Sequence, residues 1–344
     1  MTMAINDDTI LATPTPVRSL EGAAAIAARF GVVGQASGLS SERDSNYRIT
    51  AKDGREYLLK ITNPAEDAAV SRFQTESLLH VARADPELPT PRPLPAANGD
   101  YLIHIDDAGP EQIARLMTYL PGVQLHHVTP TSALRRNIGL SLARLDRALD
   151  GFSHPISGYS ILWDLKHAPD LRDLMAFIED PQRRELVGSV LDRYEARVAP
   201  VTSELRWQVI HNDFNRHNLL CASERGTEIT GIIDFGDIVR APLINDLAIA
   251  CAYHTGAETW VPAAEIAGGY NAALALTPLE RDLVVDLIAT RLAMTVLITG
   301  WRAAKYPENR DYILRNANQG WAGLEHLASA GRASVQHDFD EAFA

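Results

Sequence analysis

Cysteine is nearly missing from this chain. Cys221 and Cys251 are the only two in 344 residues, and they do not form a C-x-x-C pair. Two isolated thiols exclude a disulfide framework and a cysteine-built zinc site, and they read as reduced core residues. Positive charge is also short: 32 Lys and Arg stand against 44 Asp and Glu, giving a net charge of −12 and a pI near 5.4. That balance argues against nucleic acid or an anionic membrane as the main partner. The opening residues, MTMAINDDTI, lack the basic flank and apolar core of a signal peptide. A long unbroken apolar run is lacking too. The best stretch, residues 283–298, is interrupted by Asp286 and Arg291 and reads as a buried helix, not a membrane span. No internal repeat or low-complexity tract occurs. A cytoplasmic protein, monomeric or homodimeric, is the expectation.

What is present describes an ordinary globular protein, with 46% hydrophobic and 22% charged residues. The length suggests two lobes, 1–118 and 119–344, with 1–17 a loose arm whose Thr-Pro-Thr-Pro discourages regular structure. Ser19 is placed to cap a helix through EGAAAIAARF, with Gly31 to end it. The runs YRITA and REYLLKI flank Lys52-Asp53-Gly54, a strong hairpin signal. Asn63-Pro64 is expected to open a long helix that carries Glu76. A proline-rich connector over 86–95 then leads to strands near 101–105 and 113–119. Thr129-Pro130 is expected to start a helix ending at Leu149, and a strand is expected over 206–210. The last third reads as helical over 243–254, 260–274, 278–303 and 308–330.

The densest chemistry lies between Val209 and Val239. It comprises His211-x-Asp213, Asn218 five residues after the aspartate, and Asp234-Phe235-Gly236, each beside an apolar β-type run. This order and spacing match the catalytic loop and metal-binding turn of protein-kinase-like phosphotransferases. Phosphoryl transfer requires a carboxylate to orient or deprotonate the acceptor hydroxyl, and oxygen ligands to hold Mg²⁺ on the phosphates. Asp213 is the expected base, with Asn218 and Asp234 as metal ligands. Lys60, flanked by Leu58, Leu59 and Ile61, is the candidate phosphate-binding lysine. Glu76 is its expected partner, with Glu66 a rival on the same helix. The loop over 38–46 has no G-x-G-x-x-G, so Ser40, Ser41 and main-chain N–H groups are what it offers to phosphate oxygens. The stretch from Met117 through Tyr119 to Gly122 reads as a hinge whose main chain would hydrogen-bond the nucleotide base. His211 is expected to hold the loop, and Asp246 to cap a helix or anchor the loop.

Taken together, Lys60, Glu76, the segment 117–122, the catalytic loop, Ile233-Asp-Phe-Gly-Asp237 and Asp246-Leu-Ala resemble the aminoglycoside phosphotransferase and choline kinase superfamily. The likeness covers nearly the whole chain after about residue 20. Within it, His211 to Leu220, Gly231 to Asp237, Trp163-Asp-Leu-Lys166 and Tyr306 to Tyr312 most resemble hydroxylysine kinases. The resemblance implies a two-lobe α+β fold, with an antiparallel sheet and one helix in the small lobe and a mainly helical large lobe. It also implies Mg²⁺-dependent transfer of a γ-phosphate from ATP or GTP to a small-molecule hydroxyl, best matched by 5-hydroxylysine. Homoserine, a choline-like alcohol or an aminoglycoside is the alternative acceptor, and an inactive nucleotide-binding protein the alternative of another class. Arg216 departs from the family, whose loop commonly has an acidic residue there, and is open to a phosphate or a substrate-carboxylate role. Trp163, Asp164, Asp237 and Tyr306 are the candidate contacts for a cationic acceptor.

Overall fold

The computed structural model describes residues 13, 15–41, 43–105 and 111–344. Residues 1–12 of the expected loose arm lie outside them. The described part of that arm is tied down: Asn63 Nδ2 donates to the Thr13 carbonyl at 2.8 Å and to Thr15 Oγ1 at 3.0 Å, and Ser45 Oγ donates to the Pro16 carbonyl at 3.3 Å.

Helix α1 (Leu20–Ala28) starts where Ser19 accepts from the Gly22 N–H and stops before Gly31, whose φ of +76° is a conformation glycine adopts without penalty. Strands β1 (Gly34–Leu39), β2 (Ser45–Ala51) and β3 (Glu56–Ile61) follow as an antiparallel meander, with Gly54 at φ +84° in the β2–β3 turn. β1 has no strand pattern in its sequence, GQASGL; pairing with β2 makes it a strand. Helix α2 (Ala68–Ala84) begins at Asp67, which accepts from the Ala69 N–H, later than the expected Asn63-Pro64. Asn63 instead folds a turn through its own side chain, accepting from the Ala65 N–H at 2.9 Å. Strands β4 (Pro93–Leu94), β5 (Ile103–Ile105) and β6 (Gln112–Thr118) complete the sheet. Its order is β1-β2-β3-β6-β4, with β5 also on β6. Tyr47, Ile49, Leu59, Ile61, Ile105 and Leu116 fill one face of this sheet against α1.

The remainder is mainly helical. Helix α3 (Ser132–Leu149) is capped by Thr131, two residues beyond the expected Thr-Pro start. A 3-10 segment (Leu165–Phe177) and α4 (Pro181–Arg193) lead to β8 (Trp207–Ile210). Strand β7 (Val123–Gln124) joins β9 (Leu219–Cys221) and β10 (Ile229–Ile232) in a second antiparallel sheet, and β11 (Val239–Pro242) pairs with β8. The two short sheets hold the loops between β8 and β11 over a helical base. That base comprises α5 (Ile244–Ala252), α6 (Val261–Ala273), α7 (Pro278–Lys305), α8 (Arg310–Ile313), α9 (Ala317–Ala330) and α10 (Arg332–Phe343). The helix expected over 308–330 is therefore broken near Leu314, and α10 is an element the sequence pattern did not announce. Helix α7 is long and apolar enough by composition to cross a bilayer, yet it is buried among its neighbours, and the capping box of Thr277 and Glu280 defines its start.

Helices α3 and α6 approach so closely that glycine is required at the contact. A Cβ at Gly139 would lie 2.0 Å from the Ile266 carbonyl oxygen, and one at Gly269 would lie 2.2 Å from that of Arg136.

Candidate active site

The loop after β8 is shaped by buried main-chain bonding. Both oxygens of Asp246, near the start of α5, accept from the loop: Oδ2 from the His211 N–H and Oδ1 from the Asn212 N–H, each at 2.8 Å. Asn212 sits at φ +63°, so this carboxylate pins a tight turn. Asp246 is thus an anchor, as its position suggested. Behind it lies Asp146 of α3, whose Oδ2 accepts from the Tyr270 hydroxyl at 2.6 Å. Burial and the nearby Asp246 carboxylate push the Asp146 carboxyl well up. His211 is fully buried, faces the Ile233 carbonyl through Nε2 at 3.2 Å, and accepts from the Asp213 N–H through Nδ1 at 3.3 Å. Burial holds its pKa below the ordinary value, in keeping with a neutral ring that shapes the loop.

Asp213 emerges from this turn held on three sides. Asn215 Nδ2 donates to its Oδ1 at 2.8 Å, Asn218 Nδ2 donates to its Oδ2 at 2.7 Å, and the Arg291 guanidinium lies 3.7 Å from Oδ1. Burial raises its carboxyl to about 7, helped by Asp237 and Asp234 and opposed by Arg291 and Asn215. A carboxylate poised near neutrality can accept a proton from a hydroxyl. Arg291 is only 2% exposed, donates to the Trp163 carbonyl at 2.8 Å and stacks on the Trp163 ring at 4.8 Å. Sequence reasoning did not assign Arg291 to the site. The signal was present, though, as a charge interrupting the apolar run 283–298.

Asn218 uses its amide nitrogen on Asp213, which leaves its oxygen for a cation. The N–H of Ile233 donates to the Asn218 carbonyl at 2.9 Å and so ties this loop to the turn at Asp234. Asp234 sits at φ +63°, accepts from the Gly236 N–H and lies 3.8 Å from Lys60 Nζ, with its side chain 54% exposed. Partial burial works against its ionisation, but Lys60 and Arg43 help hold the carboxyl below its ordinary value. One ionised carboxylate and one amide oxygen are hard donors of the kind Mg²⁺ takes alongside phosphates and waters. The residues therefore fit that ion.

Lys60 is where the β3 register predicts, opposite Arg115 of β6. Its partner differs from the expected one. Asp44, in the β1–β2 loop, lies 2.9 Å from Lys60 Nζ and also accepts from the Asn63 N–H at 3.0 Å. Burial works against the lysine charge, but Asp44 and Asp234 raise its pKa above the ordinary value. Glu76 is not brought to Lys60; its side chain is 45% exposed and faces His154 Nε2 at 3.8 Å. Helical geometry gives the reason: Gln74, two positions and about 200° earlier, takes the inward face. Gln74 donates to the Gly236 carbonyl at 2.8 Å and accepts from Arg115. The rival Glu66 precedes α2 instead of lying on it, and burial and Asp44 raise its carboxyl beside Arg115 and Lys60.

The other expected contacts fall as follows. The N–H of Tyr119 donates to the Glu56 carbonyl at 3.0 Å, and Met117 is paired on both sides, with Leu58 and Pro93. The Tyr119 N–H and the Met117 main chain are thus engaged by the sheet. Asp164 is fully buried, lies 2.6 Å from Lys166 Nζ and caps the 3-10 segment, so it is not an open acceptor contact. The Trp163 face is covered by Arg291. Asp237 pairs with Arg43 at 3.0 Å, a bond that crosses the cleft. Arg216 donates to the Val128 carbonyl at 3.1 Å and does not contact Asp213, Asn218 or Asp234. Ser40, Ser41 and Tyr306 meet instead in one cavity of about 250 Å³, together with Arg302, Asn309, Tyr312 and Ile313.

Comparison with known proteins places this geometry. A sequence profile described as "Phosphotransferase enzyme family" matches residues 35–281. The chain is 28% identical over 323 residues to a hydroxylysine kinase of Mus musculus, covering 87% of this chain and 85% of that one. It is also 28% identical over 313 residues to a hydroxylysine kinase of Danio rerio, covering 87% of each. Among solved structures, a microcompartment-associated aminopropanol kinase superposes with a TM-score of 0.72 at 17% identity, over 92% of this chain and 99% of that chain. An amicoumacin kinase solved with AMP-PNP and Ca²⁺ gives 0.60 at 16% identity, over 84% and 89%. The fold is therefore the protein-kinase-like two-lobe α+β fold, and the chain belongs to the phosphotransferase enzyme family.

Proposed function

We propose that the protein transfers the γ-phosphate of a nucleoside triphosphate to the hydroxyl of a small hydroxy amino acid, with 5-hydroxylysine the first candidate. One observation carries this reading: Asp213 is oriented by two amides, tuned to about 7, and lies in the same cleft as the ionised Asp234 and Lys60. The likeness to hydroxylysine kinases supports the choice of acceptor. The lobes meet near residues 118 and 119, with the nucleotide between them.

Asp213 orients the acceptor hydroxyl and takes its proton as the oxygen attacks the γ-phosphorus and the bond to the β-phosphate oxygen breaks. Lys60 leaves Asp44 to hold the donor's phosphates, so the lysine exchanges the carboxylate of the β1–β2 loop for the donor's anion. Asn218 and Asp234 would hold Mg²⁺, which supplies charge neutralisation on the phosphates. Arg291 opposes the upward shift that burial imposes on Asp213 and so favours its ionised form. Catalysis rests on alignment more than on base strength.

A coupled nucleotide-turnover assay with ATP and with GTP tests the reading, using 5-hydroxy-L-lysine, L-homoserine, choline and kanamycin as acceptors. Turnover greatest with 5-hydroxy-L-lysine and dependent on Mg²⁺ is expected. Turnover with choline or kanamycin alone would replace the acceptor class, and nucleotide binding without turnover on any acceptor would leave a binding protein.

A further inference from the structure

In a kinase-like cleft a strand lysine pairs with a helix glutamate, so that one contact both aims the lysine and seats the helix. Here the two tasks fall to different residues. Asp44 takes Lys60, and the inward position of α2 belongs to Gln74, a neutral side chain only 2% exposed. Its amide is used at both ends. Nε2 donates to the Gly236 carbonyl at 2.8 Å, and Oε1 accepts from Arg115 Nη2. Gly236 in turn donates its N–H to Asp234 Oδ1 at 3.3 Å. A single glycine thus connects α2 with the carboxylate assigned to the metal.

The bridge needs a side chain that both accepts and donates, because arginine offers only donors and a main-chain carbonyl only accepts. An amide does this from two separate atoms. Glutamate at position 74 would serve Arg115 and leave Gly236 without a donor, and lysine would do the reverse. Arg115 is itself buried and lies opposite Lys60 across the β3–β6 pair. Its Nη1 donates to the Ser71 carbonyl and to Thr75 Oγ1, each at 3.3 Å, so the guanidinium grips the turn of α2 that carries Gln74.

Two ion pairs also join the sheet to this region, Lys60 with Asp234 at 3.8 Å and Arg43 with Asp237 at 3.0 Å. Lys60 and Asp234 are both claimed by the donor phosphates and their metal, and Asp237 is a candidate acceptor contact. The Gln74–Gly236 bond engages none of these groups, so it holds while they change partners. The turn requires such a hold. Asp234 has φ +63°, a left-handed conformation that a residue other than glycine keeps only where its surroundings fix it.

We propose that Gln74 is a positioning residue for metal binding: the Arg115–Gln74–Gly236 bridge sets the Asp234 turn from α2, and Mg²⁺-dependent nucleotide affinity depends on it. The inference rests on the proposed phosphotransfer reading and deepens it by naming what aims the metal ligand.

Wild type, Gln74→Glu and Gln74→Met are compared. Gln74→Glu keeps the acceptor for Arg115 and loses the donor for Gly236, whereas Gln74→Met loses both and adds no charge. Binding of ATP and of GTP without acceptor is measured by calorimetry, with Mg²⁺ and in EDTA, beside urea unfolding and the Mg²⁺ dependence of turnover. In each variant Kd with Mg²⁺, and the Mg²⁺ concentration for half-maximal turnover, should rise about tenfold, while Kd in EDTA changes less than about twofold. Stability should separate the variants: Gln74→Met falls, and Gln74→Glu stays near wild type because Arg115 keeps a partner. Normal Mg²⁺ dependence in Gln74→Glu would confine the glutamine to seating Arg115 and overturns the proposal. An equal rise with Mg²⁺ and in EDTA marks repulsion between the new carboxylate and the phosphates, and also overturns it. So does a rise in Gln74→Glu that a folded Gln74→Met does not share. If Gln74→Met does not fold, Gln74→Glu decides alone, since added negative charge by itself would tighten cation binding. These failures leave the phosphotransfer reading standing, whereas wild type whose nucleotide binding is absent or independent of Mg²⁺ overturns both.

Discussion

At the scale of single residues, the catalytic proposal concentrates on Asp213 and the groups that touch it. Asp213→Asn should fold and bind nucleotide as the parent does, because the substitution keeps the side chain's shape and leaves an oxygen for one of the two amide donors, Asn215 or Asn218, while kcat falls by several orders of magnitude. Near-normal turnover in that variant removes Asp213 as the base. The carboxyl near 7 also sets a pH dependence. A base must be deprotonated, so kcat/KM should rise with pH and level off above about pH 7. The stability sign is the opposite: a folded pKa above the unfolded value contributes stability that is lost as pH rises through about 7. Arg291 lowers the Asp213 pKa, so Arg291→Met should move the kinetic limb to higher pH, whereas Arg291→Lys should move it less. An unmoved limb in both variants would show that the guanidinium does not tune the base.

At the scale of elements, two tertiary contacts determine how the catalytic loop is held. Asp246 on α5 satisfies two buried N–H groups of the loop. Asp246→Ala leaves both unsatisfied and should cost about 2–5 kcal/mol in urea unfolding, with a large loss of turnover. A cost below about 1 kcal/mol would mean that the loop keeps its shape by other means. Helices α3 and α6 touch through Gly139 and Gly269. Gly269→Ala places a methyl group against the Arg136 backbone, which cannot rotate away, so destabilisation of about 1–3 kcal/mol or more is expected. Gly54→Ala provides a control of different origin, since nothing crowds its Cβ and only its positive φ resists substitution.

At the scale of the whole molecule, the cleft closes around charges from both lobes. Arg43 reaches Asp237, and Lys60 approaches Asp234, so the sheet and the catalytic region already share ion pairs without nucleotide. Binding to the folded form should raise stability by about 2.7 kcal/mol at a nucleotide concentration one hundred times Kd. Thermal unfolding with nucleotide, with and without Mg²⁺, reads this directly. Asp234→Ala should lose the metal-dependent part of the shift, and Asn218→Ala should lose less of it, because an amide oxygen carries no charge. An equal Mg²⁺ dependence in Asp234→Ala and the parent would refute the proposed metal ligation.

Local chemistry alone determined a large part of this protein. The spacing of His211, Asp213, Asn218 and Asp234 is a property of one short loop and the strands beside it, so it was legible without a fold. The Ser19 cap, the Asp53-Gly54 turn and the apolar period of α7 are likewise contacts within a few residues, and the structure keeps them. Only tertiary structure decided which side chain meets which across long separations. Asp44 takes Lys60 in place of Glu76 because a loop folds over the sheet, while the rotation of α2 turns Gln74 inward and Glu76 toward solvent. Strand β1 exists because β2 offers it hydrogen-bond partners. Arg291, 78 residues after Asp213 in sequence, reaches it because α7 runs buried beneath the catalytic loop. Such pairings follow from packing and the low dielectric of the interior, which the order of residues along a chain does not specify.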